Sequence, residues 1–372
     1  MSVVVYDRWS AAPPEVIDLW ASLVTSGGFN PSLHPSWLGA TLGAWGQLES
    51  TQIAVVREAE DTVAVIPFFV RRQSLLGMPL QCLELASNIF AYHSEIVGRG
   101  DIRRALQAFL AHRGLPRWDA FRADNIVADG PTARAIRALQ GEVLKGLSVR
   151  PREQSPYALV DRDWTGYLAT RNKKVRANVL RSARLMKEAG ETAMTWYERG
   201  ADVRKLQSEM IEIEARSWKS DAGHAIVAGT PQSEYYERVL PWMAESGTLM
   251  ANVLFIHDRP AAYTLCANWQ GWVGQLKTSF VQELRDAGSR VIHASLERAF
   301  SNGTSREYDF LGDTAPHKTR WADSIRPHEE LWAFPQHLRG RLFGSMKTMA
   351  DNWHRRRSER EAAPASAAEQ GE

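Results

Sequence analysis

The strongest constraint on the fold is an order of elements that the chain runs through twice. In the first half, Pro13-Pro14 opens a helix to about Val24 and Pro35 begins another to about Trp45, because proline is tolerated at a helix start. Residues 52–57 and 62–71 read as strands around a turn at 58–61. A strand at 80–85, a helix at 102–112, a strand at 118–122, a helix at 132–139 and a strand at 157–160 follow. In the second half, one or two helices over 164–190 and a strand at 193–197 precede a helix at 203–218 with an apolar stripe through Leu206, Met210 and Ile213. After a helix at 235–246, strands at 248–256 and 261–269 flank the turn His257-Asp258-Arg259-Pro260. The hairpin continues through 271–280, and a helix at 291–300 and strands at 307–311 and 328–334 complete the order. Helix, helix, antiparallel strands, helix, strand in each half predicts an α+β fold of two similar mixed α/β domains, each a largely antiparallel sheet flanked by helices. The expected domains are 1–155 and 156–345, joined somewhere over 146–163. Residues 346–372 form a helix end, basic at Trp353-His354-Arg355-Arg356-Arg357, and a disordered tail from about residue 361.

A chain of 372 residues suits two domains at roughly 150 residues each. Its 45 basic and 43 acidic residues give no global nucleic-acid or membrane signature, so any anion site must be local. Two cysteines, Cys82 and Cys266, are too few for a disulfide framework, and ten scattered histidines predict no metal site. The N-terminus lacks a signal-peptide pattern and no apolar run reaches 18 residues, so a soluble, cytoplasmic protein without a membrane span is expected. The 14 tryptophans predict broad aromatic packing or a ring-lined cleft. Phosphate-loop, dinucleotide, nucleophile-elbow and zinc motifs are absent. That leaves acid–base or direct group-transfer chemistry with the group carried by a cosubstrate.

Three segments carry candidate chemistry. Residues 171–187 hold seven basic side chains and no acid, with Lys173, Lys174, Arg181, Arg184 and Lys187 on one arc of a helix and Val175, Val179, Ala183 and Met186 on another. Such a face suits the phosphates of a nucleotide-like carrier, a tRNA end or an anionic glycan, or is simply solvated. Residues 278–293 run from a strand through Gly288-Ser289 into a helix, whose start offers backbone N–H groups to an anion or is capped by Ser289. Tyr308-Asp309-Phe310-Leu311-Gly312-Asp313, followed by His317-Lys318-Thr319-Arg320-Trp321, ends a strand at a glycine and releases polar groups where α/β sites often form.

These segments resemble the GNAT acyltransferase superfamily and, more narrowly, its tandem-domain branch of Fem-type peptidyltransferases and acyltransferases associated with cellulose and exopolysaccharide operons. The matching steps are Ser217-Trp218-Lys219, Asp258-Arg259-Pro260-Ala261-Ala262, Ala287-Gly288, Tyr308-Asp309-Phe310-Leu311-Gly312 and His317-Lys318-Thr319-Arg320-Trp321, in order from about Arg171 to Phe334. The first half matches more loosely, through His34-Pro35-Ser36-Trp37-Leu38 and Ile66-Pro67-Phe68-Phe69. The resemblance implies a GNAT-like fold in each half, with the cosubstrate on the second. An acetyl-CoA or other acyl-CoA pyrophosphate is then expected at Arg285, Gly288, Ser289 and Arg290, with Arg290 standing where the family has a small residue, and at Lys174 and Arg181. Fem-type relatives use aminoacyl-tRNA instead, which the basic helix also suits.

Transfer to an amine requires the amine neutral, so a base is needed near pH 7, together with donors to the oxyanion. Asp309, Asp313, His293, His317 and Glu95 are the candidate bases, and Lys318 matches the family step. Glu95 closes Ile89-Phe90-Ala91-Tyr92-His93-Ser94-Glu95, a run from the first domain that is placed at the acceptor cleft. The expected reaction is acyl transfer from acyl-CoA to an amino or hydroxyl acceptor such as a sugar or small amine, without a covalent enzyme intermediate. The alternatives are an aminoacyl-tRNA-dependent transferase and a non-catalytic partner of polysaccharide assembly.

Overall fold

A computed structural model describes residues 1–362 apart from Glu60, Ile89 and Ala91, and the side chains of all these except Arg285 and 354–362. The first half runs β1 (Ser2–Tyr6), α1 (Pro14–Ser26), α2 (Pro35–Ala44), β2 (Gln52–Glu58), β3 (Asp61–Leu75), β4 (Met78–Leu85), β5 (Val97–Gly98), α3 (Ile102–Leu110), β6 (Ala120–Val127), α4 (Pro131–Ala138) and β7 (Leu144–Pro151). The second runs β8 (Ser155–Leu159), α5 (Trp164–Thr170), α6 (Lys173–Glu188), β9 (Thr192–Tyr197), α7 (Val203–Ala215), α8 (Trp218–Asp221), α9 (Pro231–Ser246), β10 (Leu249–Ile256), β11 (Arg259–Trp269), β12 (Trp272–Phe280), α10 (Arg285–Ser301), β13 (Glu307–Asp309), α11 (Pro316–Thr319) and β14 (Ser324–Arg326). The chain closes with β15 (His328–Pro335) and α12 (Leu338–Ala362). The expected disordered tail lies, from residue 363, outside the described residues.

The strands form two sheets, in the orders β1-β2-β3-β4-β6-β15-β7, with β5 beside β3, and β14-β8-β13-β12-β11-β10-β9. Each is antiparallel except at one pair, β4 with β6 and β12 with β13. Parallel neighbours need a crossover, which α3 and α10 supply. The twofold order read from the sequence is therefore the same supersecondary unit built twice.

The last strand departs from the expected division. Residues 328–334 do form a strand, but it enters the first sheet between β6 and β7 rather than the second. Its side chains are buried along the whole length, which requires an interior position in a sheet covered on both faces. Leu331 and Ala333 pack under α3 and α4, while Trp332 and Phe334 meet Phe343 of α12. The corresponding place in the second sheet, next to β13, is taken by β8. The crossing between sheets falls at residues 152–154, inside the joint read at 146–163, whose first residues belong to β7 of the first sheet and whose later ones include β8 of the second.

The first half also reaches into the second. Trp37, Ala40 and Ala44 of α2 belong to the same core as α7, α9 and one face of β10 and β11. The indole of Trp37 donates to the Phe90 carbonyl at 3.2 Å, and Trp45, Phe90, Tyr92, Tyr235 and Trp242 complete a ring-on-ring contact. Trp37, Trp45 and Trp242 thus serve the junction of the halves.

β15 is also held by charge. Arg122 of β6 donates to Glu330 at 2.6 Å, to Glu84 of β4 at 3.1 Å and to Asp124 at 2.7 Å. Removing one partner of such a cluster leaves buried carboxylates uncompensated. Arg122→Ala is therefore expected to lower the unfolding free energy by about 3–5 kcal/mol, read from urea denaturation followed by far-UV circular dichroism.

Candidate active site

The site is built where β12 and β13 part. Only Trp272–Gly274 and Glu307–Asp309 pair, and beyond them the β12 edge facing β13 has no strand partner. On its other edge β12 carries a bulge: Lys277 lies opposite Leu265 and Gln275 opposite Cys266, so Leu276 has no counterpart. A bulge leaves a residue outside the ladder and redirects its neighbours. After Asp309 the chain turns away through Leu311 and Gly312, both at positive φ (50° and 66°). Gly312 serves this turn at no steric cost.

Asp309 is fully buried and saturated. Its Oδ1 accepts from Ser155 Oγ at 2.5 Å and from the Leu311 N–H at 2.9 Å; its Oδ2 accepts from Arg326 at 2.6 Å and from the Trp272 indole at 3.4 Å. Its oxygens are engaged in positioning neighbours. Lys318 Nζ donates to the Leu311 carbonyl at 2.7 Å and to Asp313 at 2.9 Å, clamping the turn. That hydrogen bond holds the exposed Asp313 carboxyl below its usual range.

His317, Lys174 and Arg181, from two separate segments, come together. With Asn172, Asn178, Pro316 and Arg320 they line a cavity of about 800 Å³ between α6 and α11. Burial, then Lys318 and Arg320, lowers the His317 pKa. The basic run is nevertheless not acid-free in space: Arg171 pairs with Asp323, Arg181 with Asp286 at 2.7 Å and Arg184 with Glu188 at 3.5 Å. Among the described residues, Lys173, Lys174, Arg176 and Lys187 keep no ion-pair partner. His293 is buried between Ser182 Oγ at 3.0 Å and the Trp321 ring, and burial, then Arg290 and Arg320, pulls its pKa down to about 3.

The expected loop around Gly288 is instead helix. α10 begins at Arg285, so Gly288, Ser289 and Arg290 lie inside it and the expected Ser289 cap is replaced by Leu284 at the cap position. An acid in the first turn, Asp286, suits the helix dipole and favours this earlier start. A Cβ on Gly288 would meet Phe280 at 2.3 Å, so this glycine serves packing between α10 and β12. The Arg285 side chain lies outside the described residues.

Glu95 stands apart from this group. It lines a second cavity, of about 640 Å³, with Phe29, His93, Trp269, Trp272, Arg306 and Arg326, so both halves contribute to its wall. Glu95 accepts from the Thr132 N–H at 3.2 Å at the start of α4, and burial raises its pKa. His93 is buried, its Nε2 has no hydrogen-bond partner among the described residues, and burial, then His328 and Arg326, holds its pKa well below the ordinary value. Arg326, unanticipated from the sequence, joins the two regions because it pairs with Asp309 and faces this cavity.

A buried cluster beside the bulge was also missed. Glu214 accepts from Tyr263 Oη at 2.6 Å, the Ile226 N–H at 2.6 Å and Lys219 Nζ at 3.2 Å, and Lys277 Nζ lies 3.4 Å away. The available signal was an acid on the apolar stripe of α7, directly after Ile213.

A GNAT acetyltransferase domain model matches residues 173–319, the stretch that holds β12, its bulge, α10 and β13. That stretch, about two fifths of the chain, is similar to the GNAT superfamily. Solved structures share its two-sheet fold over nearly the full length. FemX covers 89% of this chain and 98% of its own at a TM-score of 0.59 and 11% identity. A conserved protein of unknown function from Bacteroides thetaiotaomicron covers 90% and 100% at 0.58 and 12%. The C-terminal domain of a putative lysylphosphatidylglycerol synthetase from Agrobacterium fabrum covers 90% and 96% at 0.54 and 11%. At these identities the likeness is one of fold. No curated protein matches the sequence.

Within the GNAT unit, two ammonium groups facing one carboxylate leave an excess of buried positive charge. Burial, then Lys219, pulls the Lys277 pKa down from 10.5 to about 8. The folded protein therefore binds fewer protons than the unfolded chain between about pH 8 and 10.5, and Lys277 costs less stability as pH rises through that window. The unfolding free energy of Lys277→Met minus that of the parent is expected to be constant below pH 8 and to fall steadily toward pH 10.5 in urea titrations.

Proposed function

We propose that the protein transfers an acyl group from acyl-CoA to a small amino or hydroxyl acceptor held between its halves. The observation that carries this reading is the parting of β12 and β13 beside the basic cavity. An extended thioester arm fits along the strand edge that β13 leaves, where the Thr278 carbonyl accepts from Lys219 Nζ at 2.6 Å. The anionic end fits a cavity of small-molecule size lined by Lys174, Arg181, His317 and Arg320. Arg171, Arg184 and Arg181 itself are paired with Asp323, Glu188 and Asp286, which favours a compact anion over a long polyanion.

The acceptor is assigned to the cavity of His93, Glu95, Trp269 and Trp272. The acceptor nitrogen or oxygen attacks the thioester carbonyl; the new bond forms, the carbon–sulfur bond breaks, and coenzyme A leaves as the thiol. Backbone N–H groups at the Leu276 bulge are suited to receive the oxyanion. His93, held neutral by burial and with Nε2 unpartnered among the described residues, is suited to accept a hydrogen bond from the acceptor, whose proton passes to the departing sulfur. Asp309 and Lys318 are positioning residues, the first for Arg326 and Trp272 and the second for the turn at Leu311.

One observation favours a second donor, aminoacyl-tRNA: the α10 start carries Asp286 and a filled Gly288 instead of an open glycine loop. Calorimetric titration with acetyl-CoA decides between them. Micromolar binding is expected, weakened at least tenfold by Lys174→Glu with Arg320→Glu, because each replaces a cation lining the cavity with an acid. His93→Gln is expected to lower kcat at least tenfold at unchanged donor affinity. No heat at millimolar acetyl-CoA, with ribonuclease-sensitive transfer, assigns the donor to tRNA.

A further inference from the structure

α12 leaves an apolar stripe facing outward. Its inner side packs across β7 and β15, with Phe343, Gly344 and Lys347 buried. On the opposite side Leu338, Leu342, Met349 and Trp353 are 83%, 49%, 61% and 58% exposed. At roughly 100° per residue these four fall within an arc of about 60°. The outer face of a surface helix is ordinarily polar, and contiguous exposed apolar area marks an interaction site. The β3–β4 hairpin lies beside the helix: its Leu75 packs on the same cluster as Met346, and its tip exposes Leu76 and Met78.

Charge selects the occupant. Residues 338–362 contain seven basic and three acidic side chains, and Trp353 is followed directly by His354-Arg355-Arg356-Arg357. Pairing with a second α12 sets arginine-rich ends against each other if parallel, and against Arg339 and Arg341 if antiparallel. An anionic bilayer surface meets both demands, because an amphipathic helix lying in the interface buries its apolar stripe while basic residues meet lipid phosphates. No described helix is long and apolar enough to cross a membrane, so the contact is peripheral. We propose that α12, with the tip of the β3–β4 hairpin, docks this protein on anionic membrane surfaces through Leu338, Leu342, Met349 and Trp353.

The proposal is independent of the acyl donor. It is tested with the full chain and sedimented vesicles of phosphatidylcholine, with and without about one third phosphatidylglycerol. Binding is expected to the anionic vesicles, to fall at least tenfold in about 0.5 M salt, and to fall at least tenfold in the double variant Leu342→Glu, Met349→Glu. Both side chains are exposed, so the melting temperature of the variant should match the parent. A second variant, Arg355→Gln with Arg356→Gln, should weaken anionic binding while leaving the apolar stripe intact. No vesicle binding, or binding that the double variant retains, overturns the proposal. So does a dimer in sedimentation velocity that the double variant dissociates, which gives the stripe to a second copy.

Discussion

A single buried carboxylate organises the second sheet. Asp309 on β13 accepts from Ser155 on β8, from Trp272 on β12 and from Arg326 on β14, and also from the Leu311 N–H that begins the turn away from β12. Four strands and one turn therefore meet at two oxygen atoms. Burying a charge is costly unless it is paired and fully hydrogen-bonded, so this arrangement admits few alternatives. The place where β12 and β13 separate follows from it: pairing lasts through Gly274 and Asp309, and the turn secured by Asp309 carries the chain off the ladder.

Elements with strong local rules were legible in the sequence. Pro14 and Pro35 open α1 and α2, and the Leu206, Met210, Ile213 stripe forms the buried face of α7. Missed strands are short or two-faced in composition. β1 is half-exposed at a sheet edge, β5 has two residues, and β7 carries Gly146 and alternates weakly. The destination of β15 was not legible, because its apolar run states that both faces are covered without saying by which sheet. The partners that decide it, Arg122 and Arg137, stand about 200 residues earlier.

The site followed the same pattern. Lys174 and Arg181 on the basic helix, and His317 in a separate segment, were recognisable as candidates because each lies in a charged stretch, but that they line one cavity was not. Arg326 and His93 carried no such signal, since their roles depend on which segments the fold brings to the junction of the halves. The basic helix misled in one respect. Counting along the chain found no acid, but Asp286 and Asp323 arrive from α10 and from the segment before β14. Local composition reports the charge of a segment and is silent on its counter-ions.

The exchange of places between β8 and β15 reverses the order of completion during synthesis. Every strand of the second sheet has been made by residue 326, whereas the first sheet lacks an interior strand until residue 335. A chain emerging from the ribosome usually folds its leading domain first. Here the leading half must wait with the edges of β6 and β7 unjoined, and the trailing half can close before it. The part of the molecule that is born first is the last to become whole, and its maturation depends on the chain's far end.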